Sequence, residues 1–544
     1  MSSPIRSTMQ DDFPLTIPFI LRHAVAAHGP ARVAAVTPQG VVGSTIAQTA
    51  ERIHRLTGGL IGLGIRPGEA VATFCWNNQA HLEAYFAVPA TGAVLHTINL
   101  RLFPDQIAWI INDAADRFLL VDASTWETIL PVLPECPSIE RIILAGAPEG
   151  FDTSASPVPV TRYDDLLTAD PVIGEVDDER AAAVMCYTSG TTGNPKGVVY
   201  SHRSVYLHAA ANLFAGGFGL NDRDVVLQVV PMFHANGWGF PYAAFLAGAA
   251  LVLPDRDLSP AALVPLIEAE RPTLSGGVPT VWRGVFDWAA EHGRDITSLR
   301  VISCAGSAVP ESLLRDYVGL GIEMYQAWGM TETSPLAAIA RPPHITRGRD
   351  EWYWRTRTGL AVPGVEVRVV DEDGKVLPAD GETIGEFEVR GPWVAAGYFA
   401  GRGEDRFDGD WLRTGDVGGL DDAAALKITD RAKDLIKSGG EWISSTEVED
   451  LLSAVPGVVD AACIGIPDDK WGERPLGLIT VRAGAEVTMS QVREHLLGTL
   501  AKWQLPERVL GVDAIPRTGV GKIDKQALRA AQEAGELEGD VLPD

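Results

Sequence analysis

Short apolar runs punctuated by glycine or proline recur along the first two-thirds of the chain, at residues 71–75, 181–186, 225–230, 250–253 and 299–304. Runs this short, apolar on successive positions, predict buried strands of parallel sheets. Between them, residues 48–63, 261–270 and 281–291 repeat apolar positions at helical spacing. Strand alternating with helix predicts an α/β fold, parallel sheets covered by helices. The pattern changes after Gly359: residues 365–370 and 385–391 alternate apolar with polar around a turn at 371–374, which predicts half-buried antiparallel β structure. Past Asp430 a compact α+β unit of about 110 residues begins.

The pattern therefore predicts a large N-terminal domain, residues 1–430, with two parallel-type α/β subdomains (about 1–180 and 181–358) and a small antiparallel β subdomain (359–430). A connector at 431–435 leads to a smaller mobile α+β C-terminal domain, 436–544, whose last residues, Glu533 to Asp544, are acidic and read as frayed.

Charge narrows the partners. A formal net charge of −26 argues against nucleic acid and anionic membrane. Only nine residues are lysine, and seven of them lie at or beyond Lys427, so the C-terminal lysines stand out as candidates. Five scattered cysteines without CxxC spacing fit a reduced, cytoplasmic protein and no metal–thiolate site. Residues 17–21 are too short an apolar run for a secretory signal, and 225–254, broken by Gln228, Pro231, His234, Asn236 and Pro241, read as strand, loop, buried helix, strand rather than a membrane span.

The segment Tyr187-Thr188-Ser189-Gly190-Thr191-Thr192-Gly193-Asn194-Pro195-Lys196-Gly197 puts three glycines, four hydroxyls and a lysine into eleven positions, after a strand and before a helix starting at His202. Glycines let backbone N–H groups surround an anion, hydroxyls donate to it and lysine adds charge. Gly-x4-Gly-Lys-Ser/Thr is absent, so this is a phosphate loop of another kind than a Walker loop.

Four further motifs follow in order: Gln326-Ala327-Trp328-Gly329-Met330-Thr331-Glu332-Thr333; Arg413-Thr414-Gly415-Asp416; Asp430-Arg431-Ala432-Lys433-Asp434-Leu435-Ile436-Lys437-Ser438-Gly439-Gly440-Glu441-Trp442; and Pro516-Arg517-Thr518-Gly519-Val520-Gly521-Lys522-Ile523. Together with the phosphate loop they resemble the adenylate-forming superfamily, in particular acyl-CoA synthetases of the fatty-acid type, over about residues 30–530. The resemblance implies a two-step reaction: a carboxylate attacks the α-phosphorus of ATP to give acyl-AMP and pyrophosphate, and the thiol of CoA then displaces AMP. Positioning and electrostatics supply most of such catalysis.

By that resemblance Thr188, Ser189, Gly190, Thr191, Thr192, Gly193 and Lys196 hold the β- and γ-phosphates, and Glu332, with Thr188, holds Mg²⁺. Trp328 stacks on adenine, and Gly306, Ser307 and Ala308 form the opposite wall. Gln326, Ala327, Gly329, Met330, Thr331 and Ile428 complete the nucleotide site. Asp416 and Arg431 bind the ribose hydroxyls, and Lys522 bridges the carboxylate and the α-phosphate. Lys433 is the hinge of a mobile C-terminal domain that first presents Lys522 and then Lys437, Ser438, Gly439, Gly440, Glu441 and Trp442 along the CoA channel. Relatives of this kind can be homodimers through the N-terminal domain.

The acyl pocket is assigned to His234, Trp238, Gly277 and Val278, with His234 also a catalytic candidate. Amino-acid-activating relatives carry an aspartate where this chain has His234, and burying an unpaired ammonium costs on the order of several kcal/mol. An alkyl or aryl acid fits better: each buried methylene contributes roughly 0.8 kcal/mol, so pocket depth selects chain length. A medium- or long-chain fatty acid is the leading candidate. A short thioether acid (3-methylmercaptopropionate), a cinnamate-type acid, and an amine in place of CoA stay open. Ala424-Ala425-Leu426 replaces the family's frequent glycine and aromatic residue, and the basic–aromatic run Arg347, Arg349, Trp352, Tyr353, Trp354, Arg355, Arg357 reads as a solvated face, with a subunit interface and a CoA-phosphate contact left open.

Overall fold

The computed structural model describes residues 7–188, 194–438, 441–482, 484–518 and 523–544. Two sheets dominate. One has seven strands, all parallel except the last pair, and includes Ala70–Phe74, Val94–Thr97 and Ala182–Thr188, the last paired antiparallel with Lys196–Ser201. The other has nine strands, with Val225–Leu227, Ala250–Leu253, Leu274–Gly277, Val301–Cys304 and Glu323–Trp328 in its parallel centre. Helices Gln79–Ala90 and Phe240–Ala247, buried on nearly every face and apolar apart from Gln79, His81 and Glu83, lie in the core that joins them, each packed on a strand of a different sheet. An amphipathic helix could not be buried on all sides; these two can.

Sheet membership does not follow the expected division near residue 180. Arg32–Thr37 and Gly40–Thr45 join the nine-stranded sheet, while Ala182–Thr188 and Lys196–Ser201 join the seven-stranded one. The chain crosses between sheets twice, which no local pattern records.

The five-stranded antiparallel sheet expected after Gly359 is present, with Glu366–Val370 against Gly385–Arg390 and Trp411–Leu420 against Leu426–Arg431. The C-terminal unit is a six-stranded sheet with three helices. Its tail is not frayed: Asp540–Val541 pairs with Leu510 and Gly511, and Met489 N–H donates to Pro543 O at 2.8 Å. Leu542, packed on the core of the unit, supplies the anchor that the acidic composition hides.

The basic–aromatic run is not a solvated face either. Arg349 and Tyr353 bond Asp422 and Asp421, Arg347 donates to Asp422 O at 2.8 Å, and the buried Arg355 pairs with Glu323 and Glu351, each at 2.6 Å. Guanidiniums of Arg349 and Arg357 lie 4.9 and 4.1 Å from the centre of the Tyr353 ring. The patch is an internally neutralised clasp between helix Glu351–Arg355 and the 421–425 turn.

That turn explains the missing glycine. Asp421 Oδ1 accepts from Ala423 and Ala425 N–H at 2.8 and 2.9 Å, which forces Ala424 to φ +59°. An L-residue with a Cβ is disfavoured there by about 1–2 kcal/mol. Ala424→Gly is therefore expected to stabilise the protein by about 1 kcal/mol, net of glycine's entropy. A denaturant midpoint that stays put or falls would contradict this account.

Candidate active site

Three carboxylates organise the cleft between the sheets and the β subdomain, and each is met by donors from a distant segment. Asp416 and Arg431 are register partners on adjacent antiparallel strands, so pairing alone sets Arg431 Nε 2.7 Å from Asp416 Oδ1. The other oxygen, Oδ2, accepts from the Trp328 indole N–H at 2.8 Å. Trp328 ends the strand Glu323–Trp328 and is 9 % exposed, its ring 5.8 Å from Phe387. The ribose and adenine candidates are thus one hydrogen-bonded group. Gln326 Oε1 accepts from Val309 N–H at 3.1 Å, fastening the loop of Gly306, Ser307 and Ala308 beside them. A Cβ on Gly329 would come within 1.6 Å of Pro335 O, so only glycine fits before Met330. Ala327 is buried, and Ile428 N–H donates to Thr358 Oγ1 at 2.9 Å.

Glu332 sits in the turn Thr331–Thr333, which touches the strand Ala182–Thr188. Tyr200 OH donates to Thr331 O at 2.6 Å and fixes that turn. Tyr398 OH donates to Glu332 Oε1 at 2.5 Å, and Ala395 N–H donates to Glu332 O at 2.7 Å. Burial and the Glu332 charge push the Tyr398 hydroxyl well above the ordinary phenol range, so it stays a donor.

Thr188 and Lys196 are register partners, which makes the phosphate segment the connection of a β pair rather than a strand-to-helix turn. The helix starts only at His202, capped by Ser201 Oγ accepting from Ser204 N–H at 3.0 Å. Its N-terminus is separated from Lys196 by a whole strand, Lys196–Ser201. Ser189, Gly190, Thr191, Thr192 and Gly193 lie outside the described residues, as do Gly439, Gly440 and Lys522.

The third carboxylate is Asp113. Tyr187 OH donates to its Oδ2 at 2.7 Å, and Arg402 donates to both oxygens, to Oδ2 at 2.6 Å, while its guanidinium lies 4.9 Å from the Trp109 ring centre. These donors hold the Asp113 carboxyl below its usual range against the opposing effect of burial. Arg402 closes a strap that begins at Trp393, whose indole N–H donates to Leu336 O at 3.0 Å and whose carbonyl accepts from Ser334 Oγ at 2.8 Å. Sequence reasoning missed Asp113, Tyr398 and Arg402, because no local spacing signals a strap spanning three subdomains.

The acyl candidates line one cavity of about 370 Å³, with His234, Trp238, Gly277 and Val278 joined by Phe233 and Val229, and with Gly306 at the nucleotide end. Behind Gly277 stands Trp282, whose Nε1 would lie 2.9 Å from an added Cβ. The cavity loop runs through five consecutive residues of left-handed φ, Ala235, Asn236, Gly237, Trp238 and Gly239. Strain of this kind persists only where surroundings over-determine it. Gln228 Nε2 reaches into the loop, donating to Gly237 O at 3.1 Å, and Asn77 anchors the segment before it, donating to Gln228 O and Val230 O at 2.7 and 3.0 Å and accepting from Met232 N–H at 2.7 Å, with Tyr85 OH bonded to Met232 O. Arg101 and Arg256 also stand among the cavity's lining residues. Both come from loops remote in sequence.

At the expected hinge the chain changes partners. Ala432 N–H donates to Gly415 O at 2.9 Å, whereas Asp434 pairs with Arg529 of the C-terminal unit, and Lys433 lies between. Asp430 caps helix Ser445–Ser453 through Ser445 N–H at 2.6 Å. Lys437 lies 5.0 Å from the Trp442 ring centre and Lys470 4.4 Å from that of Trp471, two lysine–tryptophan pairs on the open side of this unit. Ser438 is buried and accepts from Arg474 at 3.2 Å.

Among the described residues no three His, Cys, Asp or Glu side chains converge as a metal cage. Glu332 as a single buried carboxylate, with a hydroxyl such as that of Thr188, fits an ion that takes its other ligands from phosphates and water, the habit of Mg²⁺.

The chain matches the AMP-binding enzyme family over residues 21–399 and the AMP-binding enzyme C-terminal domain over 447–522. It is 42 % identical to a long-chain-fatty-acid–CoA ligase of Thermus thermophilus (96 % of both chains) and 42 % identical to a 3-methylmercaptopropionyl-CoA ligase of Ruegeria pomeroyi (95 % and 97 %). A medium-chain-fatty-acid–CoA ligase of Ectopseudomonas oleovorans is 40 % identical over 97 % of both. Its fold resembles the crystal structure of the anthranilate CoA ligase AuaEII in complex with anthranoyl-AMP, with TM-score 0.86 and 25 % identity, covering 97 % of this chain and 100 % of that one. The chain belongs to the AMP-binding enzyme family. It is an AMP-forming acid–thiol ligase, and membership of this family implies use of ATP and CoA. No helix among the described residues is long and apolar enough to cross a membrane.

Arg402→Ala leaves the Asp113 carboxylate with Tyr187 alone. The strap is then expected to open more often, with amide exchange through residues 394–403 accelerated by about tenfold or more for a lost charged hydrogen bond. Hydrogen–deuterium exchange mass spectrometry reads this directly, and unchanged protection would show that Arg402 does not hold the strap.

Proposed function

We propose that this ligase activates a mainly apolar carboxylic acid of medium chain length as its acyl-adenylate and passes the acyl group to CoA. The observation that carries the reading is the continuity of one cleft: Gly306 lines the acyl cavity and stands on the same loop that Gln326 fastens beside Trp328 and Asp416. The cavity volume, about 370 Å³, lies near the lower end of small-ligand sites, which run from about 300 to 1,000 Å³ and favour a medium over a long chain here.

In this reading the carboxylate oxygen bonds to the α-phosphorus and the bond to the pyrophosphate oxygen breaks. Lys522 neutralises charge on the carboxylate and the α-phosphate. Lys196, with the Thr188, Ser189, Thr191 and Thr192 hydroxyls and the backbone of Gly190 and Gly193, takes the outer phosphates. Glu332 and Thr188 hold Mg²⁺, which when bound screens phosphate charge. Trp328, Met330 and Gly306 to Ala308 enclose adenine, and Asp416 and Arg431 the ribose. His234 and Trp238 border the reacting carboxyl, with Val278 beyond.

In the second half-reaction the C-terminal unit turns at Lys433, and the thiol sulfur attacks the acyl carbon as AMP leaves. Lys437, Ser438, Gly439, Gly440, Glu441 and Trp442 line the thiol's path. The change of partners between Ala432 and Asp434 supports a pivot there. The Asp430 cap precedes that pivot, so turning must exchange it. The domain limits 1–430, 431–435 and 436–544, a homodimer, and a cytoplasmic location belong to the same proposal; five buried, unpaired cysteines support the last.

A second reading rests on the equal similarity to the 3-methylmercaptopropionyl-CoA ligase: a short thioether acid would fill the same cavity less completely. An amine acceptor is the third, supported by the fold's likeness to an amide bond synthetase of Marinactinospora thermotolerans, TM-score 0.79 at 25 % identity.

Pyrophosphate release from ATP, measured across alkyl, thioether and aryl acids with and without CoA, is expected to peak with a medium-chain acid and to yield AMP. ADP as product would remove the reading, and acid-dependent consumption of an amine without CoA would favour the third. Lys522→Ala is expected to slow adenylation by at least about a hundredfold, as loss of a charge-stabilising donor does, yet to leave thiolation of supplied acyl-AMP near wild type. Equal losses in both halves would contradict its assignment.

A further inference from the structure

Tyr398, only 8 % exposed, points its hydroxyl at Glu332 Oε1 at 2.5 Å and turns its ring to Lys196, whose Nζ lies 5.3 Å from the ring centre. One side chain therefore touches both the carboxylate and the ammonium that the proposed reaction uses on opposite charges. Its own position is set from several sides. The ring packs edge-on against Phe407 at 5.7 Å, and Gly403, at φ +65°, lets the backbone close where a Cβ would lie 2.9 Å from Tyr398 Cδ2 and 3.0 Å from Lys196 Nζ. Ala395, three residues earlier, is bonded to the Glu332 carbonyl, and Arg402, four residues later, is clamped by Asp113.

A lysine ammonium on a flexible four-carbon stem is drawn to a nearby carboxylate in a site of lowered dielectric. A direct Lys196–Glu332 ion pair would neutralise both groups and leave neither free for a ligand. The Tyr398 ring offers the ammonium an aromatic face in place of the carboxylate. Its hydroxyl takes one lone pair of Glu332 Oε1, and among the described residues no donor takes the other oxygen.

We propose that Tyr398 is a positioning residue that holds Glu332 and Lys196 apart and oriented, Glu332 toward a divalent cation and Lys196 toward the outer phosphates of the nucleotide. This rests on the adenylation reading above. It assigns Tyr398 to the first half-reaction alone, since thiolation of acyl-AMP involves neither the outer phosphates nor the cation that accompanies them. The residue acts through Glu332 and Lys196 and touches no reacting atom.

The test uses the full-length protein with Tyr398→Phe, which keeps the ring and removes the hydroxyl, and Tyr398→Leu, which removes both. Mn²⁺ affinity in the presence of α,β-methylene-ATP, titrated by electron paramagnetic resonance, requires no turnover. Tyr398→Phe is expected to weaken Mn²⁺ binding by about tenfold, the size of one lost hydrogen bond to a charged group. It should raise the Mg²⁺ concentration for half-maximal pyrophosphate release similarly, with AMP affinity and thiolation of supplied acyl-AMP at wild-type values. Tyr398→Leu is expected to lose a further several-fold in analogue affinity at saturating Mn²⁺, from the missing cation–π contact. Wild-type Mn²⁺ affinity in Tyr398→Phe would overturn the proposal. So would equal losses in AMP binding and thiolation, which would mark a purely structural role. If wild-type protein released no pyrophosphate with any acid, the adenylation reading would fall, while the Mn²⁺ titration would still report whether Tyr398 orients Glu332.

Discussion

Charge in a confined cleft is the constraint on which this structure turns. Glu332 and Asp416 are buried and Asp113 is half-buried, and a carboxylate withdrawn from water persists only if donors meet it. Here the donors come from elsewhere in the chain: Tyr398 for Glu332, Trp328 and Arg431 for Asp416, Tyr187 and Arg402 for Asp113. Satisfying these groups and assembling the subdomains are thus the same event. The small β subdomain is bonded to both large sheets because it carries their missing partners.

The same economy shows in the overall charge. A protein at −26 has few cations to spend on phosphates, and most of its arginines are committed to ion pairs away from the cleft. Lys196 is set against an aromatic ring. Clasps such as that of Arg349, Arg355 and Arg357 neutralise positive charge locally, which keeps an apparently basic patch from being a ligand surface.

The acyl end follows a different logic. Its loop of five left-handed residues is bonded by Gln228 at Gly237 O and preceded by a segment that Asn77 anchors, and it places Trp238 in the cavity lining. Rigid walls make chain length a matter of volume. A long-chain and a short thioether ligase are equally similar in sequence, so overall similarity does not separate the two acids, and the cavity with Arg101 and Arg256 in its lining is where they would differ.

What the chain wrote locally, it wrote plainly. The alternation of strand and helix and the antiparallel sheet after Gly359 follow from periodicity, and the anion-binding character of Thr188 to Lys196 from residue type, because each concerns neighbours a few positions apart, whereas the roles expected of Trp328, Glu332, Asp416, Arg431 and Lys522 came from the resemblance of their motifs to a family. Tertiary structure alone decided the rest. It exchanged strands between sheets across residue 180, docked the acidic tail through Leu542, and turned the basic run into a clasp. It also joined Trp328 to Asp416 across 88 residues and Tyr398 to Glu332 across 66. These contacts depend on which surfaces meet when separate layers close on a shared core, and that is set by the sum of burial over the whole chain rather than by any window of it.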